Sequence, residues 1–318
     1  MILYIFIFLI CCLLLYLSGE WVVGGLMRIA RFLGWREFVV AFIVMAFAAS
    51  LPNLFVGTTS ALREIPQLSF GDVAGNNLVA LTLAVALAAL FAKGGIPAES
   101  RTVQTTSIFT MAIAIFPLIL VLDGNLSRID GIVLIALFLV YLSWLFSKKE
   151  RFTKIYEEHK VPIVEDFKKL LKDLGKVILG IIFLIGAAQG IVVSAQFFAQ
   201  SFHLPIILIG LLITGLGTAL PEVYFAVVSA KKGETWMILG NLMGSVIVPA
   251  TLVLGIVALI HPIQITDFSS IAIARVFLVI SALFFFFFVR TGRHISKKEA
   301  LILFGIYLLF VIIQILRA

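Results

Sequence analysis

The feature that most constrains this 318-residue chain is a short proline-centred stretch that occurs twice in hydrophobic surroundings. The first copy is ASLPN at residues 49–53, and the second, 169 residues later, is TALPE at residues 218–222. The same offset, without a gap, superimposes Gly75 on Gly244. The chain is therefore a diverged tandem duplication. A polar, proline-interrupted stretch at matching positions of two membrane halves predicts a substrate site between discontinuous helices near the bilayer midplane.

Composition places the chain in a membrane. Hydrophobic residues make up 62% of it, charged residues only 13%, and the mean hydropathy is +1.17, far from the balance of a soluble domain. Roughly 20 apolar residues cross a hydrocarbon core of about 30 Å, so ten spans fit. They are predicted at residues 2–22, 38–62, 69–92, 102–121, 129–146, 174–198, 204–230, 235–260, 267–289 and 299–316.

Five spans in each half is an odd number, so the second half must enter the membrane upside down. We predict an all-α integral membrane protein with ten transmembrane helices, built as two inverted five-helix repeats. The first repeat is residues 1–146 and the second is residues 174–318, and residues 147–173 form a cytoplasmic linker that is partly an amphipathic surface helix.

The formal net charge of +7 could suggest a nucleic-acid partner, but the distribution of the charge indicates membrane topology instead. With the N-terminus outside, most of the 24 Lys and Arg residues fall in cytoplasmic loops, and the outer side receives only Arg63, Arg128 and Arg317. Both termini are therefore predicted outside a cell membrane. The lipid bilayer is the expected partner, nucleic acid is not, and the sequence leaves the oligomeric state open.

The two prolines and one acid carry the chemistry. Pro52 and Pro221 lack a backbone N–H, so carbonyls one turn earlier lose their helical partners and must face protein, water or a cation. Glu222 lies near the middle of a span, where an ionisable residue costs roughly 2.5–3.5 kcal/mol. A carboxyl group that alternates between a protonated and a cation-bound form suits an antiporter. A kinked helix with carbonyls bonded by Ser or Thr, and a neutral, hydrogen-bonded Glu222, are the alternatives.

A Gly-x-x-x-Gly pattern follows each proline stretch, as GDVAGNN at residues 71–77 and GNLMGS at residues 240–245. Glycines four residues apart share one helix face and let membrane helices approach closely. The neighbouring Asp72, Asn76, Asn241 and Ser245 are therefore expected to meet the proline-containing helices. Hydrogen bonding between Asn side chains is the simpler alternative.

These paired motifs resemble the alpha repeats of the sodium/calcium exchanger family of cation antiporters. The family pattern is Gly-Thr-Ser-Leu-Pro-Glu, followed in the next helix by Gly-Asn-x-x-Gly-Ser-Asn, and residues 217–222 and 240–245 come close to it. The resemblance implies the exchanger fold, transport of Ca²⁺, Na⁺ or H⁺ without a cofactor, and Glu222, Thr218 and Ser245 as ion ligands.

The first repeat departs from that pattern. Asn53 stands in place of the second Glu, Ala49 in place of Thr and Asn76 in place of Ser, while Ala80 and Pro249 occupy positions where further ligands are expected. Calcium prefers six to eight oxygens with strong carboxylate participation. Cation/proton exchange is therefore favoured over sodium/calcium exchange.

The first hypothesis is a secondary antiporter that alternates access by sliding spans one and six past the rest. The second is a transport-inactive paralogue with a structural or regulatory membrane role, suggested by the loss of the first Glu. An enzyme is the weakest reading, because the four His residues show no metal-ligand spacing. The predicted ion-binding residues are Glu222, Asn53, Thr218, Ser50, Ser245, Asn76, Asp72 and Asn241.

Overall fold

The computed structural model describes residues 1–32, 37–147, 163–233, 235–265 and 269–317. Ten helices account for most of these residues, and three of the ten contain a π-helical turn. Seven helices are uninterrupted: α1 (Ile2–Phe32), α2 (Glu37–Leu62), α4 (Arg101–Leu120), α5 (Arg128–Ser147), α6 (Ile163–Phe202), α9 (Ser269–Arg290) and α10 (Lys297–Arg317).

The three helices with a π-helical turn are α3, α7 and α8. Helix α3 consists of Pro66–Val79, the turn Ala80–Ala84 and Val85–Phe91. Helix α7 consists of Ile206–Ile209, the turn Gly210–Thr214 and Gly215–Lys232, and α8 of Trp236–Val248, the turn Pro249–Val253 and Leu254–Ile260. Such turns are rare and occur often at functional sites.

The predicted spans match these helices one to one. Nine helices in the described part of the chain are long and apolar enough to cross a membrane, and the second predicted span, 38–62, lies in α2. Helix α1 continues ten residues beyond the predicted end at residue 22. Helix α6 starts at Ile163 as one 40-residue helix, so the predicted surface helix and the sixth span are continuous. Residues 148–162 of the predicted linker lie outside the described residues.

Two short antiparallel pairings join loops from opposite halves. Strand β1 (Ile96–Pro97), after α3, pairs with β4 (His294–Ile295), after α9. Strand β2 (Asn125–Leu126), after α4, pairs with β3 (Ile263–Gln264), after α8. Paired loops must share one side of a membrane. Both loops of the first pair are predicted to be cytoplasmic and both loops of the second to be outside, so the pairings support the alternating topology.

Other local structures also repeat at the 169-residue offset. The π-helical turns Ala80–Ala84 and Pro249–Val253 correspond to each other. A capping box begins α5, where the Ser127 N–H donates to Asp130 Oδ2 (2.8 Å) and the Asp130 N–H to Ser127 Oγ (3.2 Å). The same box begins α10, with Ser296 and Glu299 at 2.7 and 3.3 Å. The duplication therefore includes α5 and α10, the last helix of each half.

The buried apolar side chains form two clusters. The larger includes residues of α3, α4, α8, α9 and α10, such as Phe285 and Phe310. The smaller joins α1 and α6, with Leu15 and Leu184 at its centre, and reaches Val56 of α2 and Ile209 of α7. The polar side chains that the sequence marks as site residues belong to α2, α3, α7 and α8.

Candidate functional site

Helices α2 and α7 continue through their prolines. Pro52 lies inside Glu37–Leu62, and Pro221 lies inside Gly215–Lys232. The predicted helix breaks at Pro52 and Pro221 are therefore wrong in this structure. Each proline removes one N–H from the helix without unwinding it, because the flanking turns keep their own hydrogen bonds and neighbouring helices hold them in place.

Three buried side chains from three helices form one hydrogen-bonded group. Asn53 of α2 donates from Nδ2 to Asp72 Oδ2 of α3 (3.0 Å) and to Thr218 Oγ1 of α7 (3.2 Å). Thr218 Oγ1 lies 3.0 Å from Asp72 Oδ1, to which it can donate. None of the three is more than 1% exposed. The structure thus brings Asn53, Asp72 and Thr218 together.

Glu222 is buried without a donor. It follows Thr218 by four residues, about one helical turn along α7. Its side chain is 1% exposed, so it does not face lipid, and neither carboxyl oxygen accepts a hydrogen bond from a described residue. A buried carboxyl group of this kind is costly unless it holds a proton or meets a cation.

Asn76 and Ser245 meet where the two halves are equivalent. Each is the counterpart of the other at the 169-residue offset, and Asn76 Nδ2 donates to the Ser245 carbonyl oxygen (3.1 Å). In inverted repeats, a contact between equivalent residues is expected close to the axis that relates the two halves. The Ser245 hydroxyl donates to Leu242 of its own helix (3.0 Å), while Asn76 Oδ1 has no donor within the described segments.

The remaining positions that the sequence marks lie on α2, α3 and α8. Ser50 is buried in α2, one turn before Asn53, and Asn241 is partly exposed on α8. Ala80 and Pro249 are buried at the first positions of equivalent π-helical turns, and neither side chain offers an oxygen. The side chain of Ala49 lies outside the described part of the structure.

Glycines bring α3 and α7 into backbone contact at the site. A Cβ atom added to Gly71 would meet the backbone of Ile207, and one added to Gly75 would meet the carbonyl oxygen of Leu211. In return, Gly210 and Gly215 of α7 face the backbone of α3 around Asp72. This close approach places Asp72 beside Thr218. The Gly-x-x-x-Gly spacing marks Gly71 and Gly75 in the sequence, whereas Gly210 and Gly215 are five residues apart and do not fit that spacing.

The site is rich in oxygen atoms that can only accept. Four fully buried oxygens have no donor among the described residues: Asn53 Oδ1, Asn76 Oδ1 and both carboxyl oxygens of Glu222. Acceptors of this kind suit a small hard cation or a proton. Groups of three or more His, Cys, Asp or Glu side chains that could hold a metal are absent from the described residues. The acids among the predicted site residues are Asp72 and Glu222, and the other predicted residues offer amide, hydroxyl or carbonyl oxygens.

Comparison with known proteins identifies the family. The signature described as "Sodium/calcium exchanger protein" matches residues 3–147 and 173–316, which is most of the chain. The chain belongs to the sodium/calcium exchanger family. It is thus a membrane transporter of a family of ion exchangers rather than of enzymes, as the resemblance of its repeats predicts.

Individual relatives agree with this assignment. Uncharacterized membrane protein MJ0091 of Methanocaldococcus jannaschii is 29% identical over 238 residues, 75% of this chain and 76% of the relative. The sodium/calcium exchanger MaX1 of Methanosarcina acetivorans is 24% identical, with 97% of each chain covered. A solved structure of the sodium-calcium exchanger NCX_Mj, soaked with Na⁺ and Sr²⁺, superimposes with a TM-score of 0.66 at 26% identity, covering 98% of each chain. This exchanger-family protein therefore has the exchanger fold.

Proposed function

We propose that this protein is a secondary active antiporter that binds a small cation, Ca²⁺, Na⁺ or H⁺, between α2, α3, α7 and α8. Glu222 carries the proposal, because its carboxyl group is buried in the membrane-spanning region and meets no donor in the described structure. Thr218 lies one turn before Glu222 on α7, and it contacts Asn53 of α2 and Asp72 of α3. Asn76 and Ser245 contact each other at equivalent positions of the two halves. Ser50 and Asn241 complete the proposed set of ligands.

Movement of α1 and α6 against the other helices would alternate access to this site. The two helices pack along each other and share the smaller apolar cluster. Glycines of α6 allow the close approach: a Cβ atom on Gly180 would lie 2.6 Å from Val22 Cγ2, and one on Gly190 would overlap Cys11 Sγ. Small residues at a membrane-helix interface let backbones pack closely. We propose that these helices slide as a pair.

The test is ion exchange by the full chain in reconstituted vesicles. Flux of Ca²⁺ and of Na⁺ is measured against imposed gradients of Na⁺, Ca²⁺ and H⁺. Glu222→Gln keeps the size of the side chain and removes its charge, and we expect it to reduce ion-dependent flux to the level of empty vesicles. Glu299→Gln is the matched control, since Glu299 caps α10 outside the site and its replacement can still accept a hydrogen bond.

Two results would contradict the proposal. Wild-type rates of exchange in Glu222→Gln would remove this residue from the mechanism. If the wild-type chain bound none of Na⁺, K⁺, Ca²⁺, Mg²⁺ or H⁺ at millimolar concentrations, by calorimetry and thermal shift, the transport-inactive alternative would be correct.

A further inference from the structure

The duplication pairs the two acids of the site with two amides. At the 169-residue offset, Asn53 of α2 corresponds to Glu222 of α7, and Asp72 of α3 corresponds to Asn241 of α8. The first half therefore has its amide on the proline-containing helix and its acid on the next helix. The second half has the reverse order. Each half contributes one carboxylic acid and one carboxamide, at exchanged positions.

The acid of the first half, Asp72, lies within hydrogen-bond distance of Asn53, the residue at the position equivalent to Glu222. Asn53 and Asp72 are both fully buried, and Asn53 Nδ2 lies 3.0 Å from Asp72 Oδ2. The Asp72 carboxyl group therefore lies next to residue 53, the position equivalent to Glu222, and it also contacts Thr218, which is one turn from Glu222. The acid of the first half is therefore on a different helix from its counterpart in the second half, but at the same site.

The partners of Asp72 leave its charge uncompensated. The side chains that hydrogen-bond to its carboxyl group are the Asn53 amide and the hydroxyls of Thr218 and Thr214, all of them neutral. A buried carboxylate is stabilised by such donors, but its full charge calls for an opposite charge close by. Three unpartnered acceptor oxygens, on Asn53 and Glu222, accompany it in the described site.

We infer that Asp72 provides the negative charge of the first half, at the place that the duplication assigns to residue 53, so that the site has one carboxylate from each half. This inference rests on the proposed function. Asn53 is then a positioning residue, which holds the Asp72 carboxylate through its amide. Two carboxylates match the charge of one divalent cation, whereas Glu222 alone would match a monovalent one. Asp72 thus makes the site suitable for a divalent cation despite Asn53.

A purely structural Asp72 would behave differently from a charge-bearing one. In a structural role, Asp72 would only tie α2, α3 and α7 together, and an isosteric amide would serve nearly as well. In a charge-bearing role, loss of the charge weakens cation binding, and return of a charge at the equivalent position restores it. The two roles are separated by moving the acid back to residue 53.

The experiment titrates Ca²⁺, and separately Na⁺, into the purified full chain by calorimetry. Asp72→Asn is expected to weaken Ca²⁺ binding on the order of 30-fold or more, the effect typical of losing one partner of a buried charge pair. Asn53→Glu combined with Asp72→Asn gives the first half the arrangement of the second, and we expect it to recover most of the lost affinity. Asp130→Asn, which removes an acid from the cap of α5, is the matched control and should bind like the wild type. Thermal melting of every variant reports folding.

The possible outcomes distinguish failure of this inference from failure of the proposed function. Wild-type Ca²⁺ affinity in Asp72→Asn, or a folded double variant as weak as Asp72→Asn, would overturn the inference. So would a wild-type chain that binds Na⁺ but not Ca²⁺, although the proposed antiport would stand. If the double variant does not fold, Asp72→Glu, which keeps the charge, must bind Ca²⁺ more tightly than Asp72→Asn. A wild-type chain that binds no cation would overturn both proposals.

Discussion

Thr218 links the two halves of the molecule at the level of single atoms. Its hydroxyl oxygen accepts from Asn53 Nδ2 (3.2 Å) and lies 3.0 Å both from Asp72 Oδ1 and from the carbonyl oxygen of Thr214 in its own helix. A hydroxyl group has one proton, so donation to Asp72 competes with donation along α7. Thr218 can therefore hold the Asp72 carboxylate or donate along α7 instead, which would leave the carboxylate free for the proposed cation.

Thr218→Val tests this role of the hydroxyl group. Valine has nearly the same shape but cannot accept from Asn53 or donate to Asp72, which leaves buried polar groups without a partner at a cost of about 1–3 kcal/mol. We expect a roughly tenfold loss of cation affinity, measured by calorimetry. Thr110→Val is the control, because Thr110 is also buried, lies in α4, and its hydroxyl donates to the Thr106 carbonyl oxygen of its own helix (2.9 Å). Equal affinity in both variants would exclude Thr218 from the site.

The sequence indicates which polar side chains belong to the candidate site, but it does not predict all of their contacts. The 169-residue offset and the polar types at residues 53, 72 and 218 were enough to predict one group, because matching proline-containing stretches in two membrane halves indicate a shared site between the halves. The contact of Asn76 with the Ser245 backbone could have been sought, since the two residues are equivalent. That the Ser245 hydroxyl turns to its own helix depends on side-chain packing, which the sequence pattern does not contain.

At the level of helices, the prolines misled the prediction and the glycines did not. A proline removes one N–H and crowds one carbonyl, but a helix packed on several sides can continue past it. The irregular backbone lies elsewhere, in π-helical turns such as Ala80–Ala84 and Pro249–Val253, whose sequences ALTLA and PATLV share Thr and Leu at the third and fourth positions but no residue type that marks an irregular helix. Gly71 and Gly75, by contrast, lie on a helix face that contacts another backbone, and their spacing alone predicts such a face.

Gly75→Ala tests the close packing of α3 against α7. The added methyl group would overlap the carbonyl oxygen of Leu211, so the helices must separate slightly, and we expect a loss of about 1–3 kcal/mol, typical of overpacked interiors. The melting temperature in detergent should fall accordingly. Gly305→Ala is the control, because Gly305 is exposed on α10 and no described neighbour lies within 4 Å. It should melt at or above the wild-type temperature, since alanine favours the helix. If Gly75→Ala melted at the wild-type temperature, α3 and α7 would not be packed as closely as the structure shows.

At the scale of the whole molecule, hydropathy and the duplication together predict the architecture. The ten spans correspond to ten helices because long apolar segments leave the backbone no alternative in lipid. The ends of α1 and α6 were misplaced, since a helix can run on into water where composition no longer marks it. Contacts between loops were invisible to the sequence, because β1 to β4 are only two residues each and their partners are remote.

The two loop pairings allow a test of the transmembrane topology and of the proposed orientation. Both loops of one pair must lie on one side, whatever the orientation of the chain. Four exposed positions are replaced one at a time by cysteine. We expect Lys93→Cys and Thr291→Cys to react alike with a maleimide, and Leu122→Cys and Gln264→Cys to react alike. With both termini outside, an impermeant maleimide should label the second pair in intact cells and the first pair only after permeabilisation. The native cysteines Cys11 and Cys12, both buried in α1, are first replaced by alanine. Reversed labelling of both pairs would invert the orientation and keep the fold, whereas different labelling within a pair would contradict the alternation of the helices across the membrane.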